Sequence, residues 1–193
     1  MYEIECTIKG LAPMMMDRFF NPEDLEVSKK KSKTTWKDDL KQKLYVDKKG
    51  VYIPADNIKM MLIGNQFRPG AASILGNMIE KKKKGEYLNF CKAAIWVLGT
   101  KDPLKVYIEP KRKTYDEYDE RSFITANRGR GITRRPLIML PWKLTFTIQV
   151  TEDIFDQSKI KEFFQVAGMR CGCGAYGPTF GRFIIEKWIV KKN

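Results

Sequence analysis

The chain has 193 residues, 43% of them hydrophobic and 12% aromatic, which is enough for one folded domain with its own core. Its 36 Lys and Arg against 23 Asp and Glu leave a net charge of +13, which points to a polyanionic partner: RNA, DNA or an anionic membrane surface. The absence of histidine excludes Ser-His-Asp and Cys-His catalysis, histidine acid–base chemistry and every His-ligated metal site.

Tyr2, Ile4, Cys6 and Ile8 alternate with Glu3, Glu5, Thr7 and Lys9, so the N-terminus is a half-buried strand and not a signal peptide. No apolar run approaches the roughly 20 residues of a membrane span. A cytoplasmic protein with reduced thiols and no membrane association is expected. Met14, Met15 and Met16 read as adaptable core filling ahead of Asp17. Residues 21–50 are mostly polar and read as an insertion with too few apolar residues for a core of its own. Within it Trp36, Leu40 and Leu44 predict a short amphipathic helix, and Asp47 to Gly50 predicts a turn. A short strand over 51–54 leads into a helix capped by Asp56 or Asn57 and carrying an apolar stripe from Ile58 to Ile63. After a break at Arg68-Pro-Gly70, a second helix is predicted over about 71–82, with Ile74, Leu75, Met78 and Ile79 on one face. The lysines 81–84 then suit its C-terminal dipole.

Residues 93–98 predict a buried strand and 104–108 another. Between 110 and 136 the apolar period stops, over a stretch too long for an ordinary turn, and an extended hairpin arm is expected. Trp142, Leu144, Phe146, Ile148 and Val150 mark the clearest half-buried strand. Ile160, Phe163, Phe164 and Ala167 mark a helix with Gly168 at its C′ position. Residues 183–190 form the last strand. Stripped of insertions the order approximates βαββαβ: an α+β, ferredoxin-like (RRM-like) core in a single domain over 1–193. The insertion over 21–50, the basic arm over 110–136 and a C-terminal glycine-rich loop decorate it. The aromatic RNP1 signature of an RRM is absent.

Two features carry the chemistry. The arm holds Lys111, Arg112, Lys113, Arg128, Arg130, Arg134 and Arg135, suited to bidentate phosphate contacts and to stacking. Tyr115, Tyr118 and Phe123 are stacking partners for single-stranded bases, and the acidic run Asp116–Glu120 can pair with arginines of the same arm or of a neighbouring subunit. The second feature is the loop with Gly168, Gly172, Gly174, Gly177 and Gly181, flanked by Arg170, Tyr176 and Arg182. Such a loop either exposes several N–H groups to a phosphate or is a long, well-packed helix-to-strand turn. The four cysteines give one C-x-C pair (Cys171, Cys173) and two isolated residues (Cys6, Cys91), not the paired spacing of a zinc site. No metal and no cofactor is expected.

The segment Gly172–Phe183 resembles the G-rich loop of the RAMP superfamily of CRISPR-associated proteins, and Phe163–Gly168 resembles the helix before it. Gly50-Val-Tyr-Ile-Pro-Ala-Asp-Asn-Ile58 resembles the strand-to-helix junction of backbone-type members, and the arm resembles their thumb. The chain is also similar to small RAMP-like proteins carried by phages. The resemblance implies binding of single-stranded RNA, or single-stranded DNA, by subunits stacked side by side as a homo-oligomer. Some backbone subunits cut RNA with an aspartate after the first strand, where Asp17 stands here.

Three functions follow: a non-catalytic, sequence-independent binder of single-stranded nucleic acid, with RNA favoured; an endoribonuclease using Asp17; or a phage assembly or inhibitor protein whose arm grips an acidic protein partner.

Overall fold

The computed structural model describes residues 1–19, 40–124, 129–151 and 154–192. In chain order the strands are β1 (Tyr2–Gly10), β2 (Met14–Met15), β3 (Val46–Asp47), β4 (Gly50–Pro54), β5 (Ile95–Gly99), β6 (Lys105–Glu109), β7 (Glu117–Ile124), β8 (Arg130–Ile138), β9 (Lys143–Val150) and β10 (Phe183–Lys192). The helices are α1 (Ala55–Ile63), α2 (Ala71–Ile74, continued by a π-turn over Leu75–Ile79), α3 (Lys84–Ala93) and α4 (Gln157–Val166, continued by a π-turn over Ala167–Cys171).

The fold is mixed α+β, built on antiparallel pairing. β1 lies between β10 and β9. The far edge of β9 is shared: β5 pairs along Phe146–Val150, and β6 takes over at Lys143 and Leu144. β6 then leads to β4, and β4 to β3. Period-two alternation decides which face is covered. Ile4, Cys6 and Ile8 of β1 and Leu144, Phe146, Ile148 and Val150 of β9 are fully buried under the helices. Glu3, Glu5, Thr7, Thr145 and Gln149 point the other way and pair across strands, as in Gln149 to Glu3 and Thr7 to Thr145. The helical side of the core is aromatic: Phe164 lies 5.8 Å from Phe146 and 6.0 Å from Trp188, and Phe163 lies 5.3 Å from Tyr87. Burying each such ring contributes roughly 1.5–3 kcal/mol. α4 starts where Asp156 accepts a hydrogen bond from the Lys159 N–H at 2.9 Å, an N-cap that sets its apolar side on the sheet.

A second, three-stranded sheet is made of β2, β8 and β7. β7 and β8 form the expected hairpin arm, paired from Glu117↔Leu137 to Ile124↔Arg130. Its root reaches beyond residue 136, because Leu137 and Ile138 are buried and pair with Met15 and Met14.

Several local expectations are corrected. α1 begins at Ala55 after Pro54 and has no side-chain cap, so Asp56 sits in the first turn and Asn57 is not a cap. The second helix ends at Ile79, and Met78 and Ile79 are exposed; its buried side is Ala71, Ala72, Ser73 and Leu75. α3 was not expected, although Tyr87, Phe90, Cys91 and Ala94 are buried at helical spacing. The lysine run 81–84 misled, since Lys84 opens α3 instead of closing the helix before it. β5 is buried on one face only, with Trp96 exposed beneath Lys59. Gly168 lies inside a π-turn and not at C′; the chain turns at Gly172, where φ is 71°. The helix expected around Trp36 lies partly outside the described residues, but Leu40 and Leu44 are buried, and β3 makes the end of the 21–50 segment part of the sheet edge.

Candidate nucleic-acid interface

Residues 11–17 join the two chemistry-bearing features. Trp142 is fully buried over Gly10, and its Nε1 donates to the Ala12 carbonyl at 2.8 Å, which fixes the exit from β1. The next residues bond on both sides. The Met16 N–H donates to Pro136 of the arm, while the Pro13 and Met15 carbonyls accept from Gly181 and Ala175 of the glycine-rich loop. Met14, Met15 and Met16 are buried, as core filling requires, and they tie arm to loop.

The loop is closely packed. The N–H groups of Gly172, Cys173, Ala175, Phe180 and Gly181 all donate to main-chain carbonyls, at 2.7–3.2 Å. Those five amides are not offered to an anion, so the packed-turn alternative describes this part of the loop. Gly181 has φ +72°, and a Cβ there would meet the Cys173 carbonyl; at Gly168 a Cβ would meet Phe183. Cys171 and Cys173 are buried inside the loop, and burial pushes their thiols up to about 11 and about 12. Cys6 and Cys91 are raised to about 12 by burial in the core. Among the described residues, no three acidic, cysteine or histidine groups gather as metal ligands.

Where arm and loop touch, Tyr176 (φ 54°, 44% exposed) receives two guanidinium groups. Arg121 lies 4.7 Å and Arg135 4.8 Å from its ring centroid. Each contact is worth roughly 0.5–1 kcal/mol at an exposed site. Arg135 Nε also donates to Asp17 Oδ2 at 2.5 Å, and Arg121 Nε to Asp119 at 2.6 Å. Asp17 is therefore not a core residue; it sits on the surface and is paired to the arm. Arg121 was not singled out in the sequence, because nothing local shows that it would cross to the loop.

The sequence-derived cations fall into two groups. Arg112 is structural: it donates to Asp116 and to the carbonyls of Met139 and Pro141, which fastens the arm's root. Arg134 pairs with Glu120 across the hairpin at 2.5 Å, and Arg135 pairs with Asp17. Asp116, Asp119 and Glu120 of the acidic run thus pair with arginines of their own arm. Lys111, Lys113, Arg130, Arg170 and Arg182 are exposed and make no ion pair with a described residue. Arg128 lies outside the described residues. Of the aromatic candidates, Tyr118 and Phe123 are exposed on the arm, while Tyr115 packs partly against the core.

Beside the junction lies a cleft of about 260 Å³, walled by α1, by the turn at 64–70 and by the loop at 171–175. Asp17, Tyr45, Asn57, Met60, Asn65 and Arg68 line it. Of these six, Asp17 alone stands out in the sequence, as a cleavage candidate; Gly172 and Gly174 of the glycine-rich loop line the cleft too, and the rest of the wall is gathered from distant segments.

No protein-family model matches the chain, and no curated protein matches it. Among the described residues no helix is long and apolar enough to cross a membrane. In fold the chain is similar to a chain in the cryo-EM structure of the Type III-B Cmr-beta bound to cognate target RNA, with a TM-score of 0.58 and 13% identity. The likeness covers 99% of this chain and 61% of that one, so this chain spans less than two thirds of its neighbour's length, and at that identity the likeness is one of fold.

Proposed function

We propose that this chain binds single-stranded nucleic acid, RNA in the first place, without cleaving it, as a RAMP-type domain with a ferredoxin-like core. The order β10-β1-β9-β5, with helical segments between β1 and β5 and between β9 and β10, is the one a βαββαβ core needs. The fold neighbour's RNA belongs to that protein, and it favours RNA as the ligand to try here.

One observation carries the reading. Lys111, Lys113, Arg130, Arg170 and Arg182 are exposed and keep their charge free of carboxylates among the described residues, while Asp116, Asp119 and Glu120 of the acidic run pair with other arginines. Phosphate binding requires such uncommitted cations, and it loosens as salt rises because bound counterions are released. Side-by-side stacking of copies along the strand is what the resemblance to backbone-type RAMP subunits adds to this reading.

The test replaces these five residues with alanine together and measures affinity for unstructured RNA and single-stranded DNA across salt concentration. The expected result is a loss above tenfold at moderate salt and a shallower salt dependence. Unchanged affinity would overturn the assignment. Cleavage of labelled RNA that Asp17→Asn abolishes would replace it with the nuclease, and salt-sensitive capture of an acidic protein without nucleic acid would replace it with the protein-partner reading.

A further inference from the structure

The geometry points to the cleft between α1 and the glycine-rich loop as a pocket for one unstacked nucleobase of the bound strand, with Asn57 reading the base edge. The inference rests on the nucleic-acid reading above and adds base selectivity to it.

The size fits one flat ring system. At about 260 Å³ the cleft falls just below the roughly 300–1,000 Å³ of pockets that take drug-sized ligands. Its walls mix soft apolar surface with unused polar groups, which is what a base needs. Tyr45 and Met60 supply a ring and a thioether chain for contact with a π-face. The Asn57 side chain makes no hydrogen bond with any described residue, so its amide offers a donor and an acceptor side by side. That pair is the complement of a base edge. Asn65 spends only its oxygen, which accepts from the Phe67 and Arg68 N–H groups at 2.9 Å and leaves its NH₂ for a ligand. Arg68 Nη2 is buried and has no partner among the described residues. That atom lies against Gly177 and out of reach of a ligand in the cleft, so Arg68 offers the cleft its positive charge and not this donor.

A phosphate is the poorer occupant. Asp17 lines the same cleft; its Oδ2 is held by Arg135, and its other oxygen can accept from a base amino group, a donor that a phosphate lacks. Phe67, 87% exposed, stands on the same turn as the lining residues Asn65 and Arg68, a bare ring on which a neighbouring base would stack. The free cations would thus hold the backbone of any sequence, and the cleft would choose among bases at one position.

The experiment measures binding of oligo-A, oligo-C, oligo-G and oligo-U, and of the four free nucleoside monophosphates, to the full chain and to two variants. The wild type is expected to prefer one base by about tenfold. Asn57→Ala should remove that preference and leave affinity for the other strands within about threefold. Asn57→Asp, which keeps the shape and exchanges a donor for an acceptor, should re-rank the four bases, an effect that a purely structural role would not give. Equal affinities for all four strands, or a ranking unchanged in both variants, overturn the pocket while the cation reading stands. Absence of binding to every strand overturns both. Monophosphates that bind as tightly as strands, with the same ranking, would make the cleft a free-nucleotide site and overturn its place on a strand.

Discussion

The glycine-rich loop and the arm meet at Met15 and Tyr176, yet they are held by different means. The loop is a main-chain structure: its amides bond to carbonyls, its glycines admit close backbone contacts, and its two cysteines are buried. The arm is a two-stranded ribbon with apolar side chains such as Phe123, Ile124 and Ile132 exposed toward its tip, and side-chain pairs hold its root: Arg112 to Asp116, Arg134 to Glu120, Arg135 to Asp17. A two-stranded ribbon has no covered face of its own and is marginal alone. The loop therefore acts as the fixed surface, and the arm as the part whose order depends on a few contacts with it. Glycine richness in the sequence signalled packing, and arginine richness hid two different roles.

The largest effect expected from this contrast is at Gly181. Gly181→Ala places a side chain at φ +72° and against the Cys173 carbonyl, and it should cost about 3 kcal/mol in urea unfolding. Gly85→Ala is the control: nothing lies within 4 Å of its Cβ position in α3, and the change should be neutral or stabilising by roughly 0.5–1 kcal/mol. Equal effects at the two sites would break the view of the loop as the fixed surface.

A smaller effect sharpens the view of the arm. Tyr176→Ala removes both guanidinium contacts and should lower stability by about 1–2 kcal/mol. Hydrogen exchange of the β7 and β8 amides should accelerate well beyond that of β1 or β9, which the central sheet protects. Uniform acceleration through both sheets would mean that the arm opens only with the whole domain and not as a part held by its contacts with the loop.

How far each region was legible follows from the same difference. β1, β9, β10 and α4 stood out because period and burial agree within a few residues, as at Leu144, Phe146, Ile148 and Val150. α3 was lost because a lysine run looked like a helix end, while Tyr87, Phe90 and Cys91 carried the contrary signal. The arm was found from its length and charge, but Arg112 and Arg130 look alike in sequence. Only the fold brings the Met139 and Pro141 carbonyls to the first and leaves the second without an ion pair among the described residues. The cleft was illegible because Asp17, Tyr45, Asn57 and Arg68 come together only through β2, β3 and α1.

The edge hairpin of β3 and β4 gives the smallest and most local test, because it is tied, like the arm, by side-chain pairs. Asp47 accepts from Lys105 Nζ at 2.8 Å, from Tyr107 Oη at 2.9 Å and from the N–H groups of Lys49 and Gly50. The Lys105 hydrogen bond, opposed by desolvation and aided by Tyr107 and Lys49, lowers its carboxyl from an ordinary 3.8 to about 2. A folded value below the unfolded one favours the hairpin when the group is ionised. The contribution is thus complete above 3.8 and is lost as pH falls toward about 2. Protection of the Lys49 and Gly50 amides should fall across that window in the wild type. In Asp47→Asn it should start lower and stay flat there. A wild type that keeps full protection to the bottom of the window would show that the main-chain ladder, and not the carboxylate, holds this hairpin, and it would place the hairpin with the loop instead of the arm.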